Sequence, residues 1–221
     1  MDVQKLFDIK KTQIEMVRDR GYDIHPVEAA LLHATLQQFA SHLEFLAADS
    51  PGQSRRSLLS SFYRGKNADG TEKRLLAFFG GKTDPSQTQI PKDVTNYFAS
   101  LCKEKKFHEA IFIVGFELST ESKDILAKLT TTSWQVFHDS DLTYNPTSSI
   151  DTPRHELLSP EVARAKLIEM KVELSKLLIL RSDDPIVKYY GWHVGSLIMI
   201  HRNDKSVSIL APKSINYRVV V

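Results

Sequence analysis

Apolar residues recur every three or four positions over residues 3–20, where Leu6, Ile9, Gln13, Met16 and Val17 fall on or near one face. That period predicts an amphipathic helix. Asp19-Arg20-Gly21-Tyr22 stops it, with Gly21 just past the end, where the left-handed backbone of a helix terminus suits glycine. Pro26 opens a second helical period carried by Val27, Leu31, Leu32, Leu36, Phe39, Leu43 and Leu46, which predicts one helix over residues 26–48. Asp49-Ser50-Pro51-Gly52-Gln53-Ser54 is loop by composition. The pattern then changes. Residues 58–64 and 74–79 read as strands around Lys66-Asn67-Ala68-Asp69-Gly70, a hairpin with a loop of five residues or more. A helix is expected over 92–105 and another over 119–129. Between them Ala110-Ile111-Phe112-Ile113-Val114 is apolar without interruption, as in a strand buried on both faces. Residues 134–138 form a further strand. Strands alternating with helices imply crossover connections and a largely parallel sheet, so this half is α/β.

Residues 139–153 are polar and rich in Ser, Thr and Pro, which places a domain boundary there. Two domains follow, at residues 1–143 and 144–221, the second a small α+β domain with a mixed sheet. Ser159-Pro160-Glu161 starts a helix, with Ser as N-cap and Pro at the first helical position, that runs to about residue 170 or 171. Asp184-Pro185 starts a shorter one, Gly191 ends it, and Gly195 turns the chain into the strand-like Leu197-Ile198-Met199-Ile200-His201-Arg202. Asn216-Tyr217-Arg218-Val219 closes the chain.

Composition narrows the class without naming it. The 221 residues are 42% hydrophobic and 25% charged, ordinary for a folded protein. Net charge is +2, and neither half carries the cationic excess of an autonomous nucleic-acid binder. Any DNA contact is therefore local and assisted. The single cysteine, Cys102, excludes an internal disulfide and a cysteine-based zinc site; its apolar neighbours Phe98 and Leu101 make it a buried structural thiol. No run approaches ~18 apolar residues, and the N-terminus lacks the apolar core of a signal peptide. A cytosolic or nuclear location fits.

Four patterns suggest chemistry and fail on spacing. Gly80-Gly81-Lys82-Thr83 follows a strand, but a phosphate loop needs glycine where Leu76 stands, and Asp84-Pro85 blocks the receiving helix. The eight histidines form no metal-binding pair at helical spacing. His138-Asp139-Ser140-Asp141 holds the residue types of a hydrolase triad, yet neighbours in one loop cannot converge as a triad must. Asp84, Asp93, Glu117 and Lys123 could serve a metal-dependent nuclease, but the strand 110–114 carries no acid or lysine to anchor an ion.

One combination survives. The order D-P-x-x-x-Y-[FY]-G-x-x-x-G over residues 184–195, then an apolar strand with Arg202, then Tyr217-Arg218-Val219, resembles the assembly domain of the fifth common subunit of eukaryotic nuclear RNA polymerases and of its archaeal counterpart. Arg18-Asp19-Arg20-Gly21-Tyr22 is similar to the family's opening helix, Asp141-Leu142-Thr143-Tyr144-Asn145 to its L-x-x-N segment, and Pro153-Arg154-His155 to its P-x-H element. The resemblance covers nearly the whole chain. It implies a non-catalytic subunit of a DNA-directed RNA polymerase, acting in transcription in the nucleus, or in the nucleolus if it serves polymerase I alone, with no metal or cofactor. It implies a jaw domain beside downstream duplex DNA and an assembly domain docked on the largest subunit. Carried over by residue, docking would involve His155, Pro185, Gly191, Gly195, Arg202, Tyr217 and Arg218, with a structural hydrogen bond expected at His155. The DNA-proximal loop would involve Ser119, Thr120, Ser122 and Lys123. There Ser119 is an N-cap with Ser122 at N3, and a helix N-terminus suits a phosphate. The family's T-P-S-A pattern has lost its Pro here, and Glu121 is added, which opposes a phosphate.

Two segments depart from the family. Leu177-Leu178-Ile179-Leu180 stands where L-P-R-I is usual, and Asn203-Asp204-Lys205-Ser206-Val207-Ser208-Ile209-Leu210 where R-P-S-E-T-A-G continues after the arginine. Both help dock the subunit in the family, so a divergent, specialised paralogue is expected, serving one polymerase class or a fast-evolving lineage rather than the copy shared by all three. A free-standing regulator that mimics the subunit is the alternative, and a nuclease the third class.

Overall fold

A computed structural model of the chain describes residues 2–67, 69–81, 88–202 and 214–221. Lys82, Thr83 and Asp84, named above for a phosphate loop or a nuclease, lie outside the described residues, as does the divergent segment 203–210. The chain divides into two compact units, Met1–Tyr144 and Asn145–Val221.

In the first unit α1 (Val3–Asp19) is capped by Asp2, whose carboxylate accepts from the Gln4 N–H at 2.9 Å. It ends at Gly21, φ 76°, and β1 (Tyr22–Asp23) follows. The single helix expected over 26–48 is instead two, α2 (Pro26–Leu31) and α3 (Leu36–Asp49). The break is made by Thr35 and Gln38. The Thr35 hydroxyl accepts from the Gln38 N–H at 3.3 Å, and the Gln38 side chain accepts from the Thr35 N–H at 2.8 Å. Such reciprocal capping starts a helix, while the apolar period runs on across it. Leu58 is not in the expected strand either. Ser57–Leu59 is a turn of 3-10 helix, closed by the Ser54 hydroxyl on the Ser57 N–H at 3.1 Å. The strand β2 (Ser61–Lys66) follows, and β3 (Glu72–Gly80) pairs with it.

Next come β4 (Gln89–Ile90), α4 (Lys92–Lys105), β5 (Glu109–Val114), β6 (Glu117–Leu118), α5 (Thr120–Ala127) and β7 (Ser133–His138). The main sheet has the order β1-β2-β3-β5-β7. Its β3, β5 and β7 are parallel, as the crossovers demand, while β1 and β2 join antiparallel. On one face α4 and α5 cover a core in which Phe98 and Phe112 stack 4.7 Å apart. A Cβ at Gly80 would stand 2.4 Å from Cε2 of Phe112, so the ring requires glycine there. Toward α1, the buried Lys10 donates to Gln13 at 2.9 Å, to the Leu59 carbonyl at 3.0 Å, and to Glu28. A buried ammonium needs such partners.

The second unit contains β8 (Arg154–Leu157), α6 (Pro160–Met170), β9 (Leu178–Leu180), α7 (Pro185–Tyr190), β10 (Leu197–Arg202) and β11 (Ser214–Val220). The sheet order is β8-β10-β11-β9, antiparallel except for the β9–β11 pair. This is an α+β unit with a mixed sheet. Asp184 caps α7 by accepting from the Ile186 N–H at 2.8 Å, with Pro185 at the first helical position. Gly191 ends it at φ 69°, and the Trp192 N–H returns to the Val187 carbonyl at 3.1 Å, a Schellman closure. Leu180, Val187, Ile198, Ile200 and Val220 form the core with Trp192 packed on them.

Candidate docking and nucleic-acid surfaces

In open α/β sheets ligands bind beyond the carboxyl ends of the parallel strands. Here that crevice is filled by Arg56, 2% exposed. Its guanidinium donates to the Gly80 carbonyl at 2.7 Å, the Ile113 carbonyl at 3.1 Å, and both oxygens of Asp139 at 2.6 and 2.9 Å. The place an enzyme of this architecture uses for substrate is spent on structure. Asp139, one of the triad-like residues, is thus an ion-pair partner, and residues Asp139–Leu142 form a 3-10 turn. Among the described residues no group of three or more His, Cys, Asp or Glu could hold a metal ion. Cys102 is buried in α4, and burial pushes its thiol up to about 12.

The residues expected to lie near DNA sit where two helices begin side by side. The short parallel ladder of β4 and β6 brings Pro91, which precedes α4, next to Ser119, which caps α5. Ser119 accepts from the Ser122 N–H at 3.1 Å, as expected. Ser122 itself is fully buried, its hydroxyl paired with Thr95 at 3.0 Å. It ties α5 to α4, so its hydroxyl is turned into the packing between the two helices. Thr120 and Lys123 remain exposed and Ser119 half-buried. Glu121 pairs with Lys92 at 3.5 Å across the two helix starts, so an acid already faces the amides that would attract a phosphate.

In the second unit the strand register sorts the residues expected to dock by face. Residues directly opposite one another share a face. His155 pairs with Ile200, and Arg218 with Ile198. With Arg202 two positions along from Ile200, the three basic residues lie on the core face beside α7. Tyr217 lies on the opposite face, with the Lys166 ammonium of α6 5.6 Å from its ring centroid. The set is therefore split between two faces. Nδ1–H of His155 donates to the Pro153 carbonyl at 2.7 Å, the expected structural hydrogen bond. Burial pulls this histidine below its ordinary value, the Pro153 carbonyl and Asp184 pull it up, and Arg218 and Arg202 add to the lowering. Arg218 Nε is buried without a hydrogen-bond partner among the described residues. Pro185 is exposed, and Gly191 and Gly195 act through backbone shape, Gly195 at φ 87°. Beside Arg218, the edge strand β9 exposes Leu178 and Ile179 by 63% and 59%.

Residues 1–96 match the family described as RNA polymerase Rpb5, N-terminal domain, and residues 144–220 match RNA polymerase Rpb5, C-terminal domain. The chain belongs to the Rpb5 family. A Dictyostelium discoideum protein named DNA-directed RNA polymerases I, II, and III subunit rpabc1 is 26% identical over 100% of this chain and 99% of its own length. The Caenorhabditis briggsae subunit RPABC1 of polymerases I, II and III is 23% identical over 100% of this chain and 98% of its own. The Arabidopsis thaliana protein named DNA-directed RNA polymerases IV and V subunit 5B is 22% identical over 100% of this chain and 91% of its own. Rpb5 proteins are non-catalytic polymerase subunits, which agrees with a strand-end crevice closed by an ion pair.

Sequence reasoning missed three features of this Rpb5 chain: the Arg56–Asp139 pair, the exposed edge β9, and an open trough beside α4. The second had a signal in the continuous apolar run Leu177-Leu178-Ile179-Leu180.

Proposed function

We propose that this chain is an architectural subunit of a nuclear DNA-dependent RNA polymerase, docked on the largest subunit through its second unit, with its first unit forming part of the lower jaw beside downstream DNA. The observation that carries this reading is the presence of both Rpb5 domains in one chain that spans 91–99% of polymerase subunits from three organisms. Docking centres on the apolar edge β9 and the neighbouring Arg218, whose buried Nε lacks an acceptor among the described residues. An edge strand offers unpaired main-chain groups, and Arg supplies the anchor contacts common at interface centres. DNA proximity rests on Ser119, Thr120 and Lys123, and the opposing Glu121 makes that contact weak, salt-sensitive and dependent on the complex.

The apolar replacement at 177–180 supports a specialised paralogue, nucleolar if it serves polymerase I. Reconstitution into two polymerase classes with equal affinity would count against specialisation.

The test of the main reading is affinity purification of the tagged chain from its own cells at ~0.5 M salt, where exposed ion pairs are screened. The two large polymerase subunits at one-to-one stoichiometry support it, and the largest subunit recovered names the class. Recovery without stoichiometric polymerase favours a free-standing regulator.

A further inference from the structure

Among the described residues no helix covers the face of β2 and β3 that carries Phe62 and Leu76 along its whole width. Beside it lies an open trough of about 1170 Å³. That exceeds the ~300–1,000 Å³ of small-molecule sites. One wall is the stripe Tyr97, Leu101 and Lys105 of α4, spaced four apart and so on one helical face. The floor is Leu76 and Phe78. The far wall is Phe62, 70% exposed, and Tyr97 opposite is 59% exposed.

The charge in this trough is one-sided at one end. Arg64 and Arg74 are direct cross-strand partners on the face that carries Phe62 and Leu76. Like charges placed so repel. Inside the fold Arg74 Nε is buried and makes no hydrogen bond, its acid neighbour Glu72 standing 3.9 Å away. Since α4 runs back against the direction of β3, Lys105 at its end joins the two arginines. Asp93 lines the opposite end, at the start of α4.

We propose that this trough binds an acidic amphipathic segment of a partner protein, its aliphatic or aromatic side chains seated between Phe62 and Tyr97 and its carboxylates against Arg64, Arg74 and Lys105. A carboxylate relieves the arginine pair by bonding to the guanidinium groups that reach the trough surface. A nucleic acid fits less well, because Leu76, Val94 and Leu101 give aliphatic walls and three cations make a short phosphate track.

The test uses the full chain and a fluorescein-labelled peptide of roughly 15 residues, with Leu and Phe at i, i+3, i+4 and i+7 and Asp or Glu elsewhere. Saturable binding is expected by fluorescence anisotropy, weakened about tenfold or more by Arg64→Glu with Arg74→Glu and by Phe62→Ser. These side chains are at the surface of the trough, and an unchanged far-ultraviolet circular dichroism spectrum checks that the fold is kept. The proposal is overturned if a peptide with Lys in place of the acids binds as well, or if the substitutions leave the affinity unchanged. It is also overturned if a single-stranded oligonucleotide binds through these arginines while the peptide does not. Self-association lost on Phe62→Ser, with no peptide binding, would overturn it too and assign the trough to a second copy of the chain.

Discussion

Arg56 and Asp139 lie 83 positions apart and meet through two hydrogen bonds of 2.6 and 2.9 Å beyond the ends of β3, β5 and β7. The same guanidinium satisfies carbonyls at the ends of β3 and β5. Removing one partner leaves a buried charge uncompensated, which costs about 3–5 kcal/mol. Arg56→Ala and Asp139→Ala are each expected to destabilise the chain by that order in urea unfolding. The double change to Arg56→Met with Asp139→Leu should recover much of the loss. Single substitutions with unfolding midpoints near wild type would show that the pair does not hold the crevice closed.

Glu28 gives the first unit an acid sensitivity. Burial raises its carboxyl, but the Lys10 charge and hydrogen bonds from Lys10, Ser61 and Tyr63 outweigh it, so the net direction is down. The folded state then holds fewer protons than the unfolded chain between the lowered value and the ordinary 4.5. The stabilisation is present above that range and is lost as pH falls through the lowered value. Glu28→Gln should be less stable than wild type at neutral pH and show a shallower loss on acidification, read from unfolding midpoints at a series of pH values. Parallel pH profiles would refute the assignment.

His155 gives the second unit a window of its own. Its folded value is below 6.5, chiefly through burial. Between the lowered value and 6.5 the unfolded chain binds more protons, so stability rises with pH there and falls on acidification. The expected measurement is an NMR titration of the His155 ring with a midpoint below 6.5. A midpoint above that value would mean that the ring is not held neutral.

Gly80 is required by packing. Adding a methyl group there meets the Phe112 ring, which is itself stacked on Phe98. Overpacking of this kind costs roughly 1–3 kcal/mol. Gly80→Ala should lose that much stability, whereas Gly80→Ala with Phe112→Leu should regain part of it. Calorimetry of the pair decides.

Leu178→Glu and Arg218→Ala are expected to lower incorporation into polymerase about tenfold or more, if β9 and its neighbour dock the subunit. The readout is the ratio of this chain to the largest subunit after salt-washed purification. Undiminished ratios would move docking to the other face of the sheet, where Tyr217 lies.

Much of the fold was legible because its signals are local. Ser159-Pro160 and Asp184-Pro185 with Gly191 fix the ends of α6 and α7 by caps that act within a few residues. The unbroken run 110–114 marks a strand buried on both faces, and β5 lies between β3 and β7. The break between α2 and α3 was hidden because Leu31, Leu32 and Leu36 keep helical spacing across it. The Arg56–Asp139 pair had no signal, since nothing near either residue names the other. The N3 position of Ser122 was legible, but its burial against Thr95 depends on the β4–β6 ladder, which no local pattern announces. The separation of Tyr217 from Arg218 follows from strand alternation, but which side each takes is decided by the pairing of β10 with β11.

That pairing also has a consequence in time. β11 lies between β10 and β9, so a strand made after its neighbours occupies the sheet's interior. During vectorial synthesis β8 and β10 can pair with each other, but β9 leaves the ribosome before β11, its one neighbour among the described strands, exists. The first unit takes none of its strands from residues beyond 144, so it can close while translation continues. The second has to wait until residues 214–220 have left the exit tunnel, and its pre-closure state exposes the apolar surfaces that chaperones bind.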